Sequence, residues 1–158
     1  MRSNPPKSPF KKGEDNPIYL DYNATTPIDP SVREAMLPYL GEHFGNPSTT
    51  HAYGRPAKDA VEKARRQVAS LIGAGPEEVV FTRNATESIN LVARAWGDAN
   101  VEPGDEVLIT AMEHHSNIVP WQLLVERRGA TLRVAPIDDR GDVILEEFTR
   151  LLTPRTKI

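Results

Sequence analysis

The sequence contains no cysteine, and this absence excludes several kinds of chemistry. A chain without cysteine forms no disulfide, builds no thiolate metal site and supplies no thiol nucleophile. No apolar run approaches the roughly 20 residues that a membrane-spanning helix requires, so we expect no membrane partner. The four histidines, His43, His51, His114 and His115, lack the spacing of a known metal-binding motif, and no metal site is predicted.

Composition and charge narrow the class of protein further. The chain has 158 residues, of which 39% are hydrophobic, so its length suits one domain with a modest core. Because the formal net charge is −3, we expect no nucleic-acid partner. We predict a cytoplasmic protein.

The first 17 residues contain four prolines and four Lys or Arg, with few apolar residues. Such a composition cannot bury enough surface to offset the entropy lost on ordering, so residues 1–16 are predicted to form a flexible arm. A targeting peptide is the alternative. The segment lacks the apolar stretch of a secretory signal, and Glu14 and Asp15 oppose an amphipathic presequence.

Residues 17–53 are predicted to form a leading segment with a short helix and loops. Asp29 is a suitable N-cap and Pro30 a suitable first helical residue, while Pro38 should kink or end the helix. The small polar residues at 21–27 and 45–51 indicate loops. These loops either connect elements irregularly or close over a ligand, and sequence position does not decide between the two.

Residues 54–158 show the pattern of an incomplete α/β domain. Apolar residues recurring at threes and fours predict an amphipathic helix over residues 55–73, ended by Gly73. Short β-branched runs followed by a turn and a helical pattern predict a parallel sheet covered by helices. The predicted strands are Val79–Thr82, Val107–Thr110 and Thr131–Ala135.

The turn after the first predicted strand combines a helix start with possible anion donors. Asn84 can cap the helix and Glu87 can reach back to the cap amide, which accounts for both residues as a capping box. The amides of Ala85 and Thr86, with the Thr86 hydroxyl, would also suit a phosphate at the positive end of the helix dipole. Capping and phosphate binding both remain open on these residues alone.

The turn after the second predicted strand carries two histidines. His114 follows the strand end directly, with His115 beside it. Adjacent side chains of an extended segment point in opposite directions, so only one of them would face a ligand. The pair is either two exposed loop histidines, or one imidazole that stacks on a flat ligand or moves protons.

The remaining elements complete the pattern. Ser116 or Asn117 is predicted to cap a helix that runs to about Arg128 and stops at Gly129. A short amphipathic helix follows near residues 145–152, and residues 156–158 resemble the first residues of another strand.

Four stretches of the chain resemble the cysteine desulfurases, which are pyridoxal-phosphate enzymes of the class V aminotransferase group. The stretches are IYLDYNATTP (18–27), FGNPSTTH (44–51), VVFTRNATESINLVA (79–93) and TAMEHHSNIVPWQ (110–122). The resemblance implies part of the three-layer, parallel-sheet large domain of a fold-type I pyridoxal-phosphate enzyme, truncated. The first two stretches are similar to the housekeeping and nitrogen-fixation branch. The last is similar to stress-type desulfurases and selenocysteine lyases.

The resemblance also implies roles for individual residues. Ala85 and Thr86 match the pair that holds the cofactor phosphate. His114 matches the histidine that stacks on the pyridine ring and takes part in proton transfer. Asn23 to Thr26 match a loop that approaches the active site, without individual roles.

The chemistry implied by the resemblance converts L-cysteine to L-alanine, with the cofactor as electron sink. Sulfur passes to an enzyme cysteine as a persulfide and then to a sulfur-acceptor protein, for iron–sulfur cluster or other sulfur-compound synthesis. Family members are usually homodimers. Their Schiff-base lysine, the aspartate facing the pyridine nitrogen and the nucleophilic cysteine lie further along than residue 158, and none of the six lysines here has the family's lysine context. The resemblance therefore implies an N-terminal portion that is inactive alone.

Three alternatives stay open beside this prediction. The chain could belong to a selenocysteine lyase or to another class V aminotransferase or lyase. It could be a nucleotide-binding domain, although no glycine-rich GxGxxG pattern follows any predicted strand. It could also be a non-catalytic fragment that pairs with a full-length subunit.

Overall fold

The computed structural model describes residues 18–158, which divide into two compact units between Val79 and Val80. The predicted arm, residues 1–16, lies outside the described residues. The predicted division at residues 17–53 and 54–158 stays a prediction of domain organisation. Within the described range, no helix is both long and apolar enough to cross a membrane.

The first unit opens with a capped helix, α1 (Pro30–Met36). The Ser31 amide donates to the Asp29 carboxylate at 2.8 Å, which confirms Asp29 as the N-cap. The chain tightens into a 3-10 turn, Leu37–Leu40, around Pro38, so the predicted end of the helix at this proline is confirmed.

The long helix of the first unit is α2 (Gly54–Ile72), which confirms the helix predicted over residues 55–73. Gly73 ends it with a positive φ of 69°, a conformation that glycine adopts without steric cost. A side chain at Gly54 would collide with the Asn46 carbonyl and with Thr49. The loop at 45–51 therefore folds back against the first turn of α2, and glycine is needed for that close approach.

The predicted strand Val79–Thr82 does not form, and this prediction is wrong. Val79 is extended (φ −97°, ψ 119°), but residues 79–82 pair with no other strand in the part of the chain that the structure describes. A strand requires a partner for its backbone hydrogen bonds, and an apolar run cannot supply that partner itself.

The second unit continues with α3 (Ala85–Val92), a π-helical turn (Ala93–Gly97) and one short turn, α4 (Asp98–Asn100). The amphipathic pattern of this segment places Ala93 and Gly97 against the core. A methyl group added at Gly97 would lie 2.6 Å from a Cδ atom of Leu124, so the Leu124 side chain packs more closely on the Gly97 backbone than a larger residue would permit.

A parallel sheet lies in the second unit. Its strands, β1 (Glu106–Thr110) and β2 (Thr131–Ala135), pair from Glu106 opposite Thr131 to Thr110 opposite Ala135. Both predicted strands and their parallel direction are confirmed. The connection between them is α5 (Val119–Arg128), which packs on both strands and ends at Gly129 with φ 67°.

The end of the chain adds to the other edge of β1. After α6 (Leu145–Leu151), the Glu106 amide donates to the Arg155 carbonyl at 2.9 Å, and the Leu108 amide donates to the Ile158 carbonyl at 2.8 Å. The predicted beginning of another strand at residues 156–158 is confirmed as a parallel bridge. The α/β class is thus confirmed in part, with two strands in the described residues, and the three-layer arrangement stays a prediction.

The core of the second unit lies between β1, α5 and the helix that follows α3. Its buried members are Ala93, Val101, Val107, Ile109, Trp121 and Leu124.

One acid, Glu106, is also buried in this unit. The Glu106 carboxylate accepts hydrogen bonds from the Thr153 hydroxyl (2.8 Å), Arg133 (2.9 Å) and Arg155 (3.3 Å). These bonds, led by that from Thr153, lower the pKa of Glu106 below its usual range and tie β1 to both of its neighbours.

Candidate functional site

The first part of the candidate site is the N-terminus of α3. Asn84 caps the helix, since its Oδ1 accepts from the Glu87 amide at 2.9 Å. The Glu87 carboxylate accepts from the Arg83 amide at 2.6 Å rather than from the cap amide that a capping box would use. The fully extended backbone of Asn84 (φ −166°, ψ 173°) accounts for this correction, because it brings the preceding amide within reach of Glu87.

Three donors remain at this helix start. Among the described residues, no acceptor is found for the amides of Ala85 and Thr86 or for the exposed Thr86 hydroxyl. The Glu87 carboxylate is engaged by the Arg83 amide. The helix dipole adds positive potential at the same place, so these donors suit an anion.

The second part of the site is the turn after β1. His114 is extended (φ −67°, ψ 148°) and precedes a 3-10 turn, His115–Asn117. Its Nδ1 accepts from the Ser116 amide at 3.1 Å and lies 2.9 Å from the Ser116 hydroxyl. His114, and not Ser116 or Asn117, is therefore the cap of this turn.

The prediction that Ser116 or Asn117 caps the following helix is wrong for a second reason. Helix α5 begins only at Val119, with Pro120 in its first turn. The side chain of Asn117 donates to Glu113 and accepts from the Trp121 indole, and among the described residues no amide of α5 is found to donate to it.

A chain of side-chain hydrogen bonds holds the turn that carries His114. The Glu113 carboxylate accepts from the Thr110 hydroxyl at 2.6 Å and from the Asn117 amide at 2.8 Å. Asn117 in turn accepts from the indole of Trp121, a core residue, at 2.8 Å. The bonds from Thr110 and then Asn117 lower the pKa of Glu113, which is half-buried. Sequence reasoning missed this role of Glu113, although a threonine three residues before it and an asparagine four after it were a signal.

The two parts of the site lie in the same unit, on elements that contact each other. Helix α3, which begins with the amides of Ala85 and Thr86, contacts the 3-10 turn that follows His114. Thr86 and His114 are both exposed. The rings of His114 and His115 lie 6.1 Å apart at 88°, so they face different directions. The roles of Ala85, Thr86 and His114 as cofactor ligands stay predictions.

The loop Asn23–Thr26 lies in the first unit, and its individual roles stay open. The Tyr19 hydroxyl donates to the carbonyls of Asp21 (2.9 Å) and Thr25 (3.3 Å), and the Thr26 hydroxyl donates to the Tyr22 carbonyl (2.7 Å). These contacts order the loop from within. Over residues 18–158, no three His, Asp or Glu side chains converge as metal ligands.

Comparison with known proteins shows what the chain is similar to. The family model for class V aminotransferases matches residues 18–158. A probable cysteine desulfurase of Mycolicibacterium paratuberculosis is 47% identical over 143 residues, which are 89% of this chain and 21% of that protein. A probable cysteine desulfurase of Synechocystis is 43% identical over 143 residues, which are 34% of that protein. The chain thus spans between about a fifth and a third of the length of these relatives.

Solved structures agree with the sequence comparison. The apo cysteine desulfurase from Thermococcus onnurineus superposes with a TM-score of 0.72 and 38% identity, over 82% of this chain and 32% of that chain. The cysteine desulfurase CsdA from Escherichia coli gives a TM-score of 0.70 and 33% identity, over 87% of this chain and 35% of that chain. The family model spans all of the described residues, and the class V aminotransferases use pyridoxal phosphate. The chain therefore belongs to the class V aminotransferase family and, within it, resembles the cysteine desulfurases.

Proposed function

We propose that this chain forms part of the cofactor-binding domain of a pyridoxal-phosphate-dependent cysteine desulfurase. The observation that carries the proposal is the pairing of two features in one unit. Helix α3 presents amides without a protein acceptor among the described residues, and it contacts the turn that holds the His114 imidazole. Amides that can donate to a phosphate, together with the flat imidazole of His114, suit a planar, phosphorylated cofactor.

In this proposal the cofactor phosphate lies at the N-terminus of α3. The amides of Ala85 and Thr86 and the Thr86 hydroxyl donate to its oxygens. A hydrogen bond to a charged group contributes about 1.5–3 kcal/mol, so three such donors give useful affinity even at an exposed site. Asn84 supports phosphate binding indirectly, because it accepts from the Glu87 amide and fixes the first turn of the helix.

His114 provides the second contact in the proposal. Its imidazole stacks on the pyridine ring, an arrangement that aromatic systems favour at offset geometry. The ring does not rotate freely, since its Nδ1 is bonded to Ser116. The turn beneath it is anchored to the core through Glu113, Asn117 and Trp121.

The cofactor, when bound, supplies an electron sink for the breaking of bonds at the substrate α-carbon. In the full-length cysteine desulfurase of this proposal, L-cysteine is the substrate and L-alanine is the product. The partner is a sulfur-acceptor protein, and the enzyme is a homodimer. This chain has no thiol of its own. We therefore expect these 158 residues to bind the cofactor without converting cysteine by themselves.

The test is a calorimetric titration with pyridoxine 5′-phosphate, which has an alcohol in place of the aldehyde and cannot react with the six lysines. Thr86→Val removes the hydroxyl at nearly constant volume and should weaken binding about tenfold, the effect of roughly 1.4 kcal/mol. Thr86→Ser should retain most of the affinity. The control is Thr131→Val, an exposed threonine at the opposite end of the sheet, which should bind like the parent chain.

Two results would refute the proposal. One is the absence of binding to a chain that circular dichroism shows to be folded. The other is equal affinity of Thr86→Val and the parent chain, which would place the phosphate elsewhere.

A further inference from the structure

The hydrogen bond from Ser116 to His114 determines where the imidazole carries its proton. A backbone N–H can only donate, so Nδ1 of His114, 3.1 Å from the Ser116 nitrogen, must accept with its lone pair. The Ser116 hydroxyl, 2.9 Å from the same nitrogen, can donate to it as well. If Nδ1 were protonated, its N–H would face the amide N–H of Ser116.

We propose that the Ser116 amide holds the neutral imidazole of His114 as the Nε2–H tautomer. The ring then offers a ligand one flat face and one N–H donor, and its only lone pair is already engaged by the protein. Insofar as that ligand is pyridoxal phosphate, this inference rests on the proposed function. It assigns to His114 the role of a stacking and donating group.

The consequence concerns proton transfer, which the family resemblance attributes to this histidine. For His114 to accept a proton, the proton must go to Nδ1, because Nε2 is already protonated in the neutral ring. That step would break the bond from Ser116 and leave its amide without an acceptor. In this assignment His114 presents its Nε2–H to a ligand, while the Ser116 amide keeps the orientation of the ring.

The rest of the turn supports this assignment. Asn117, the last residue of the 3-10 turn, is held through Glu113 to the end of β1. The Ser116 amide therefore has a fixed position relative to His114. His115 offers a contrast within the same turn, since its exposed ring makes no hydrogen bond with any described residue.

Nuclear magnetic resonance of the ¹⁵N-labelled, ligand-free chain tests the tautomer directly. At about pH 8.5, where an ordinary imidazole is neutral, His114 should show an unprotonated Nδ1 and a protonated Nε2. A scalar coupling across the N–H···N bond should join the Ser116 amide nitrogen to Nδ1. His115 should show nitrogen shifts averaged between its two tautomers and no such coupling.

A protonated Nδ1 at His114, or averaged shifts like those of His115 without a coupling, would overturn the proposal. Ser116→Ala removes the hydroxyl but keeps the amide, so the tautomer and the coupling should persist. If His114 in Ser116→Ala instead showed nitrogen shifts averaged between its two tautomers, the amide would not be the group that holds the tautomer.

A second pair of variants distinguishes the hydrogen-bond acceptor of His114 from its flat ring. His114→Asn can still accept from the Ser116 amide, as asparagine does at helix starts, whereas His114→Phe keeps a flat ring without an acceptor. Hydrogen exchange of the Ser116 amide should stay slow in His114→Asn and become faster in His114→Phe; equal rates in both would contradict the proposal. Because these measurements need no cofactor, failure to bind pyridoxine 5′-phosphate would refute the proposed function alone and leave the tautomer result standing.

Discussion

The carboxylate of Glu113 accepts a hydrogen bond of 2.8 Å from the side-chain amide of Asn117, across the turn that carries His114. The same carboxylate accepts from Thr110, the last residue of β1, at 2.6 Å. Glu113 thus connects the end of a core strand to the end of the 3-10 turn. His114 lies in the segment that this connection spans.

Removal of the Glu113 carboxylate should destabilise the second unit. Glu113→Ala leaves the half-buried Thr110 and Asn117 groups without their acceptor, which should lower the free energy of unfolding by about 2 kcal/mol. Glu113→Gln keeps one good acceptor and should lose roughly half as much. Urea denaturation followed by tryptophan fluorescence measures the stability of both variants. An unchanged midpoint in Glu113→Ala would show that the hydrogen bonds of Glu113 contribute nothing to stability.

The two hydrogen-bonded acids, Glu106 and Glu113, should make the free energy of unfolding fall at acidic pH. The pKa of Glu106, lowered mainly by the Thr153 hydroxyl and then by Arg133, lies below the usual 4.5 in the folded chain. A depressed folded-state pKa contributes stability that is present above pH 4.5 and is lost as the pH falls through the folded value. Glu106→Gln should therefore show a weaker decline in unfolding free energy below that pH than the parent chain. A decline of equal steepness in both would mean that Glu106 does not titrate differently on folding.

Substitutions of Asn84 should separate helix capping from anion binding. Asn84→Ala removes the acceptor of the Glu87 amide and should cost about 1 kcal/mol of stability. Asn84→Asp keeps that acceptor and should be nearly as stable as the parent chain. The added negative charge beside the amides of Ala85 and Thr86 should nevertheless weaken binding of pyridoxine 5′-phosphate severalfold. Unaltered affinity in Asn84→Asp would argue against an anion at this helix start.

The contact between Gly97 and Leu124 predicts a packing defect. Gly97→Ala would place a methyl group 2.6 Å from a Leu124 Cδ atom in the core, and overpacking of this kind costs about 1–3 kcal/mol. Leu124→Val lacks the colliding atoms, so the penalty of Gly97→Ala should largely disappear in that background. A double-mutant cycle by chemical denaturation measures this coupling; fully additive effects would show that the two residues do not collide.

Local signals allowed much of the fold to be predicted. The helix α2 follows from its apolar periodicity and from Gly73, both of which act within a few residues. The strands β1 and β2 follow from short β-branched runs bounded by turn residues. Val79–Thr82 has the same local pattern but forms no strand in the described residues, because pairing depends on a partner that an apolar run does not specify.

Sequence patterns point to the residues of the candidate site, whose roles stay predictions, but not to the side chains that support them. Ala85 and Thr86 follow from a helix start after an apolar run, and His114 from its place after β1. The roles of Glu113 and of the Ser116 amide depend on side-chain directions in a 3-10 turn, which sequence spacing does not determine. The buried Glu106 was missed for a similar reason, since Arg133 and Thr153 reach it only after the strands have paired.

The most direct measurement of the central claim is a chemical-shift map of the ¹⁵N-labelled chain during titration with pyridoxine 5′-phosphate. The account predicts that the largest changes occur at the amides of Ala85 and Thr86 and at the His114 ring, all with one dissociation constant. Pyridoxine without the phosphate should lose the changes at Ala85 and Thr86. Saturable changes confined to other residues would contradict the account.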